Sequence, residues 1–391
     1  MKFGQVCLAA GVFAAAMGGA GAMAQDPLKI GFITTLSGPA GYLGRDVRDG
    51  FQLAVDMEDG NLGGVPVDLM IEDDGLKPAN GRQIADRFLT DEDVKLFTGL
   101  IFSNVAGAVV PEVVEAGGIM VSPNAGPSEF AGKDCNANYF VVSWLTDTMQ
   151  GSAGQNATDL GYKRAFVLAP NYQAGKDAIQ GFKRYFKGEI VGEIYTKLDQ
   201  SDFAAEMAQI RAAAPDVVFQ FQPGGLGIAF TRQYQQAGLL GTIPMVVSEP
   251  SMDHVILQAV GEAADGLNVS GAWNTDLDNP ANREFVAKFE EAYDRTPTMY
   301  AAQGYDTARA IAAALKQTGG SVDDTEAFRT AMLKADFDSV RGYFEFGKNQ
   351  HPIQDWYAMT VAPGADGAMT LKTRAKILEH HGDPFASECE L

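Results

Sequence analysis

The sequence predicts an α/β protein built from two series of parallel strands, each strand followed by a helix. Three observations lead there. Apolar strand-like runs alternate with segments of helical period from residue 28 to residue 122, and the alternation starts again at residue 164. At roughly 150 residues per domain, 391 residues suggest two domains, with three as the alternative. Hydrophobic residues form 46% of the chain and charged residues 20%, a globular balance that excludes a disordered or fibrous protein.

In the first series, residues 28–36 read as a strand, with Ile30, Phe32 and Ile33 apolar and a Ser-Gly-Pro turn after it. Residues 47–59 carry apolar side chains at helical spacing. A strand over 65–72, a helix over 78–89, a strand over 94–100, a helix over 105–116 and a strand over 119–122 follow; Gly117 and Gly118 end the last helix. The second series has strands at 164–168, 190–196, 216–221 and 243–247, with helices at 175–186, 203–213 and 226–237 between them. One continuous large sheet is the alternative arrangement. Beyond it come a strand at 266–273, helices at 282–293, 300–317 and 325–335, and strands at 340–346 and 355–361. Such late elements often return to the first domain, and several crossings make a hinge.

Ligands of open parallel sheets bind just past the carboxyl ends of the strands. Six loops fall at such places: 37–44, 102–104, 122–128, 169–175, 222–225 and 248–251. They mix glycines, hydroxyls and amides with aromatics. Glycine lets backbone approach a ligand, and helix starts with Ser or Asn attract a carboxylate. Tyr42, Phe102, Trp144 and Tyr172 offer apolar faces; Asn104, Asn124 and Gln222 offer amides. A plain turn is the alternative for any one loop.

Lys2, the apolar run 6–16 and Ala22-Met23-Ala24 form a secretory leader, with cleavage expected after Ala24 and Cys7 leaving with it. A membrane anchor is the alternative, but the run is shorter than the roughly 20 residues a span needs. In an exported protein the two remaining cysteines, Cys135 and Cys389, read as a disulfide closing a loop of about 250 residues; two free thiols are the alternative. A net charge of −20 disfavours a nucleic-acid partner. No G-x-S-x-G, Walker A or H-E-x-x-H motif occurs, so neither a cofactor nor a metal is expected, and a secreted hydrolase is a weak rival. His380-His381 and His254, near Glu249 and Asp253, are weak metal or catalytic candidates; Asp73-Asp74 reads as a solvated strand end.

The chain resembles the type I periplasmic solute-binding proteins of ABC transporters, in the branched-chain amino acid receptor branch. The residues that carry the resemblance are KIGFITTLSGP at 29–39, SPNAGPS at 122–128, APNYQAGKD at 169–177, DLDNPAN at 276–282 and YAAQGYDTA at 300–308. The second and third of these, with HPIQD at 351–355 and Cys389, look more like a sub-branch for benzoate- or hydroxycinnamate-type acids.

The resemblance implies two Rossmann-like lobes joined by three crossovers near Ser143, Gly271 and Ile353. Lobe 1 is then 25–144 with 272–352, and lobe 2 is 145–271 with 353–391. A carboxylate ligand would sit between them and favour closure. Ser103, beside the Phe102 backbone, matches the serine that receives the ligand carboxylate, and Ala125 and Gly126 match the loop completing that site. Gly126 stands where amino acid receptors often keep a Thr. Tyr42 and Tyr172 match aromatic positions of the cleft. Glu249 falls where amino acid receptors keep an acid for the ammonium; it argues for an amino acid, while the longer motifs argue for an aromatic acid. The partner implied is an inner-membrane ABC permease, with a monomeric, periplasmic receptor. A domain feeding a receptor kinase is a third class that the residues do not separate.

Overall fold

The computed structural model describes Met1, residues 26–365 and residues 367–391. The expected leader, with Cys7 and the cleavage point after Ala24, lies outside the described residues. Among the described residues no helix is long and apolar enough to cross a membrane.

The first series forms β1 (Leu28–Thr34), α1 (Gly41–Asp56), β2 (Asn61–Leu62), β3 (Val65–Asp73), α2 (Pro78–Thr90), β4 (Leu96–Thr98), α3 (Ser103–Glu115), β5 (Ile119–Ser122) and β6 (Tyr139–Val141). They make one six-stranded sheet in the order β2-β3-β1-β4-β5-β6. β1 lies between β3 and β4, parallel to both, which is why Ile30, Phe32 and Ile33 are all fully buried rather than alternating.

Helix α1 starts six residues before the expected boundary at 47, so Gly41 and Gly44, expected in a loop, form its first turn. They are glycine for space. A Cβ on Gly44 would stand 2.1 Å from the Thr35 carbonyl oxygen, and one on Gly41 2.3 Å from that of Leu36.

The second series comprises α4 (Thr146–Asp159), β7 (Arg164–Pro170), α5 (Gln173–Tyr185), β8 (Glu189–Thr196), α6 (Ala204–Ala213), β9 (Val217–Gln220), α7 (Gly225–Gln236), β10 (Val246–Ser248), α8 (His254–Val260) and β11 (Asn268–Gly271). β8-β7-β9 are parallel, and a parallel bridge from Val218 to Met245 leads on to β10 and β11. The chain then returns to the first sheet with α9 (Pro280–Tyr293), α10 (Met299–Thr318), α11 (Thr325–Leu333) and β12 (Phe344–Phe346). The apolar residues of these late helices, Phe285, Ile311 and Phe328 among them, share one core with β1, β4 and β5. Strands β7, β9 and β10 build separate cores.

β13 (Pro352–Pro363) begins paired with β12 and ends paired with β11, so a single strand carries the chain from one lobe to the other. β14 (Met369–His381) folds back along it. These strands run antiparallel, so the second sheet is mixed where an all-parallel sheet was expected. The residues after β14 touch both series of elements: the Arg184 guanidinium of α5 lies over the Phe385 ring at 5.4 Å. Asn349 donates to Asp383 at 2.8 Å, and the Cys135–Cys389 disulfide ties the tail to the β5–β6 connection of lobe 1.

The crossovers are braced together. The buried guanidinium of Arg341 donates to the Ser143 carbonyl at 2.8 Å, to Gln354 at 2.6 Å and to Asp306 at 2.9 Å, while Gln354 itself donates to the Ser143 carbonyl at 2.8 Å. One cation therefore holds the first and third crossings in register, and its charge is matched by a fully buried aspartate.

Candidate ligand site between the lobes

Two close helix crossings aim the site. α1 and α10 touch at Gly50 and Gly304, where a Cβ would lie 1.9 Å from the Ala301 and Val47 carbonyl oxygens respectively. The pair presents Leu43 and Tyr300 to the space between the lobes. α4 and α5 cross at Gly154 and Gly181, where a Cβ would meet backbone oxygens at 2.3 and 2.0 Å. Thr146 and Ala174, from the first turns of those helices, line the same space, as does Ser103, the first residue of α3.

The result is a cavity lined by first-turn residues of five helices, α1, α3, α4, α5 and α10. Its walls are largely aromatic: Phe102, Trp144, Tyr172, Phe221 and Tyr300. Tyr172 stacks on Phe221 at 6.4 Å and leans on Phe102 at 6.4 Å. No lining side chain is an acid, a Lys or an Arg. The positive ends of the helices and the N–H groups that open α3 are what the site offers an anion, since the first-turn N–H groups of Thr146, Ala174 and Tyr300 are bonded within the protein. Ser103 Oγ accepts the Ala174 N–H at 2.9 Å, across the seam, which leaves its own proton for a carboxylate.

Of the residues expected here, the structure brings Phe102, Ser103, Asn124, Ala125 and Tyr172 into the wall. Asn124 is held by donating to Gln303 at 2.7 Å. The Ala125 backbone is already committed: its N–H goes to the Leu100 carbonyl at 3.0 Å, and its carbonyl accepts from Ser122 and Tyr139. Gly126 does not reach the cavity. It packs on the first crossover, where a Cβ would lie 2.1 Å from the Trp144 oxygen, and its carbonyl accepts the Thr146 N–H. The missing threonine hydroxyl is thus a matter of space beside the hinge. Asn104 lies one position beyond the lining, its Oδ1 buried without a partner.

Tyr42, Gln222 and Glu249 surround the cavity without lining it. Tyr42 donates to Asp253 at 2.6 Å. Gln222 donates to Thr196 at 3.2 Å. Glu249 is buried against the second crossover, and a Cβ on Gly271 would collide with its carboxyl. Burial lifts its pKa well above the ordinary glutamate value, against the N–H groups of Trp273 and Ala272. Burial likewise pushes Asp253 up to about 7, opposed by the Tyr42 hydroxyl and the Ile256 N–H. The acid expected to receive an ammonium is therefore turned into the hinge, where burial disfavours its charged form.

Tyr300 was not legible as a site residue, because it opens an alanine-rich helix that reads as core. The Thr298 cap fixes the turn that exposes it, accepting its N–H at 3.2 Å. His254 is half-buried outside the cavity, and burial of its ring pushes it down to about 4. His380 and His381 point apart: the first stacks on Tyr343 at 3.6 Å, and the second meets the Tyr185 hydroxyl at 2.5 Å. Asp74 is buried and bonded to Thr35 at 2.6 Å, unlike the solvated strand end expected, whereas Asp73 is exposed.

Residues 27–368 match the periplasmic binding protein family model. The chain belongs to the periplasmic binding protein family. A solute-binding protein of an ABC transporter from R. palustris, solved in complex with benzoate, is 30% identical with a TM-score of 0.88, over 93% of this chain and 100% of that one. A second solute-binding protein, from Rhodopseudomonas palustris BisB5 in complex with 3,4-dihydroxybenzoic acid, is 26% identical with a TM-score of 0.84, over 92% and 99% of the two chains. A Leu/Ile/Val-binding protein homolog of Brucella melitensis is 28% identical over 93% of this chain and 95% of its own length. This periplasmic binding protein thus has the type I fold, with its cavity between two lobes as in an ABC solute-binding protein.

Proposed function

We propose that the protein is the exported receptor of an ABC importer and captures a small aromatic carboxylate, unchanged, by closing its lobes. The observation that carries this reading is the cavity: aromatic walls, Ser103 and the first turns of five helices, with no acidic side chain in the lining. The carboxylate would rest on Ser103 and the first turn of α3, with the ring against Phe102, Tyr172 and Tyr300. The benzoate-type ligands of the two similar solute-binding proteins support it. Lobe 1 then comprises 25–144 and 272–352, and lobe 2 comprises 145–271 and 353–391, with the last residues strapped back to lobe 1. Cleavage of a leader after Ala24, delivery to a permease, a monomeric state and the absence of catalysis belong to the same reading.

The branched-chain amino acid reading takes its support from the relative named for leucine, isoleucine and valine. It needs an ionised acid for the ammonium, and Glu249 is buried in the hinge with a raised pKa. A thermal-shift panel separates the two, since a ligand that binds only folded protein raises its midpoint. Benzoate and hydroxybenzoates are expected to shift it, with affinities of about −8 kcal/mol or better. A shift by leucine alone contradicts the proposal.

A further inference from the structure

A second, larger cavity lies against the first. It opens at the mouth between the lobes, between the β1–α1 and β3–α2 loops on one side and the β8–α6 and β9–α7 loops on the other. Its floor is apolar, from Pro39, Leu76, Leu198, Leu226 and Ala229. Among the described residues, Phe102 and Pro223 alone line both spaces. They come from opposite lobes, so the partition exists only when the lobes are closed.

Phe102 is held firmly in that partition. It is the residue before α3, its carbonyl accepts the N–H groups of Val105 and Ala106, and its ring leans on Tyr172. The inner space is less than half the size of the outer one. An acid anchored at Ser103 therefore meets Phe102 and Pro223 before it can use the outer space.

We propose that Phe102, with Pro223 facing it, is the length filter of this receptor. It confines wild-type ligands to single-ring acids and closes off an apolar chamber that would otherwise take a second ring. The inference rests on the aromatic-carboxylate reading above.

Calorimetric titration of the full mature protein with benzoate and with biphenyl-4-carboxylate tests it. The wild type is expected to prefer benzoate by about 100-fold. In Phe102→Ala the biphenyl acid is expected to gain about tenfold in absolute affinity while benzoate weakens. Adding Ala229→Phe, which refills the outer chamber, is expected to take that gain back. Pro223→Ala, which opens the partition from the other lobe, is expected to shift the preference in the same direction and serves if Phe102→Ala folds poorly. Equal weakening of both acids in Phe102→Ala, or wild-type binding of the biphenyl acid as tight as benzoate, overturns the filter alone. A wild type that responds to leucine and to neither aryl acid overturns the aromatic reading, and the filter with it.

Discussion

Tyr42 Oη donates to Asp253 Oδ2 at 2.6 Å, joining the start of α1 in one lobe to the start of α8 in the other. On another stretch of the seam Asp177 takes the Ser128 hydroxyl at 2.6 Å and the Ser128 N–H at 2.9 Å. These contacts exist only when the lobes meet, so they add to the closed state without touching the cavity wall. Tyr42→Phe keeps the ring and removes the clasp. Ligand affinity is expected to fall by about tenfold, the value of one hydrogen bond to an acid. Calorimetry with benzoate checks it; unchanged affinity would mean that the bond persists in the open form.

Burial pushes Asp253 up to about 7 and Asp177 up to about 6, against an ordinary aspartate value of 3.8. The closed protein therefore holds more protons than the unfolded chain across that interval. Stability from these groups is full below the ordinary value and is lost as pH rises through about 6 and then about 7. The groups facing Asp253 are Tyr42, Asp46 and the Ile256 N–H. In denaturant melts with saturating ligand, the stability of the wild type relative to Asp253→Asn is expected to decline from pH 4 to about 7 and stay level above it. A difference that does not vary with pH would place Asp253 in water.

Glu249→Gln tests the ligand class. With the carboxyl buried against Ala272 and Trp273, away from the cavity wall, benzoate affinity is expected to change by less than about threefold. If the ligand carries an ammonium bound by this acid, the loss reaches about 100-fold.

The Cys135–Cys389 bond closes a loop of 254 residues and fastens the tail after β14 to lobe 1. The chain-entropy gain for so long a loop has an upper figure of about 5 kcal/mol. Cys135→Ser with Cys389→Ser is expected to lower the thermal midpoint by about 5 °C or more. No change would mean that the tail is held by Asn349 and its neighbours alone.

What the sequence made legible follows from burial. β1, β5 and the α2 register were readable because buried strands and amphipathic helices carry uninterrupted or periodic apolar signals. β14 was missed because it is an edge strand whose outward positions are Lys372, Arg374, Lys376 and Glu379, so it reads as a polar tail. α4 was missed because Gly, Ser, Thr and Asn fill it, and these residues serve its tight crossing with α5 rather than helix propensity. In the site, Ser103 and Tyr172 were readable at loop-to-helix junctions. The burial of Glu249 behind Gly271 was not, because it depends on contacts between segments distant in sequence from most of the cavity. The role of Gly126 likewise needed the Trp144 carbonyl to be placed beside it.

One aromatic acid is expected to sit in the seam with its carboxylate on Ser103. A crystal structure of the protein grown with benzoate measures this directly. The expected result is closed lobes, a carboxylate within hydrogen-bonding distance of Ser103 Oγ and the α3 first turn, and the ring against Tyr172 and Tyr300. An acid lying outside the seam, or a cavity that instead retains an amino acid with its ammonium on Glu249, would contradict it.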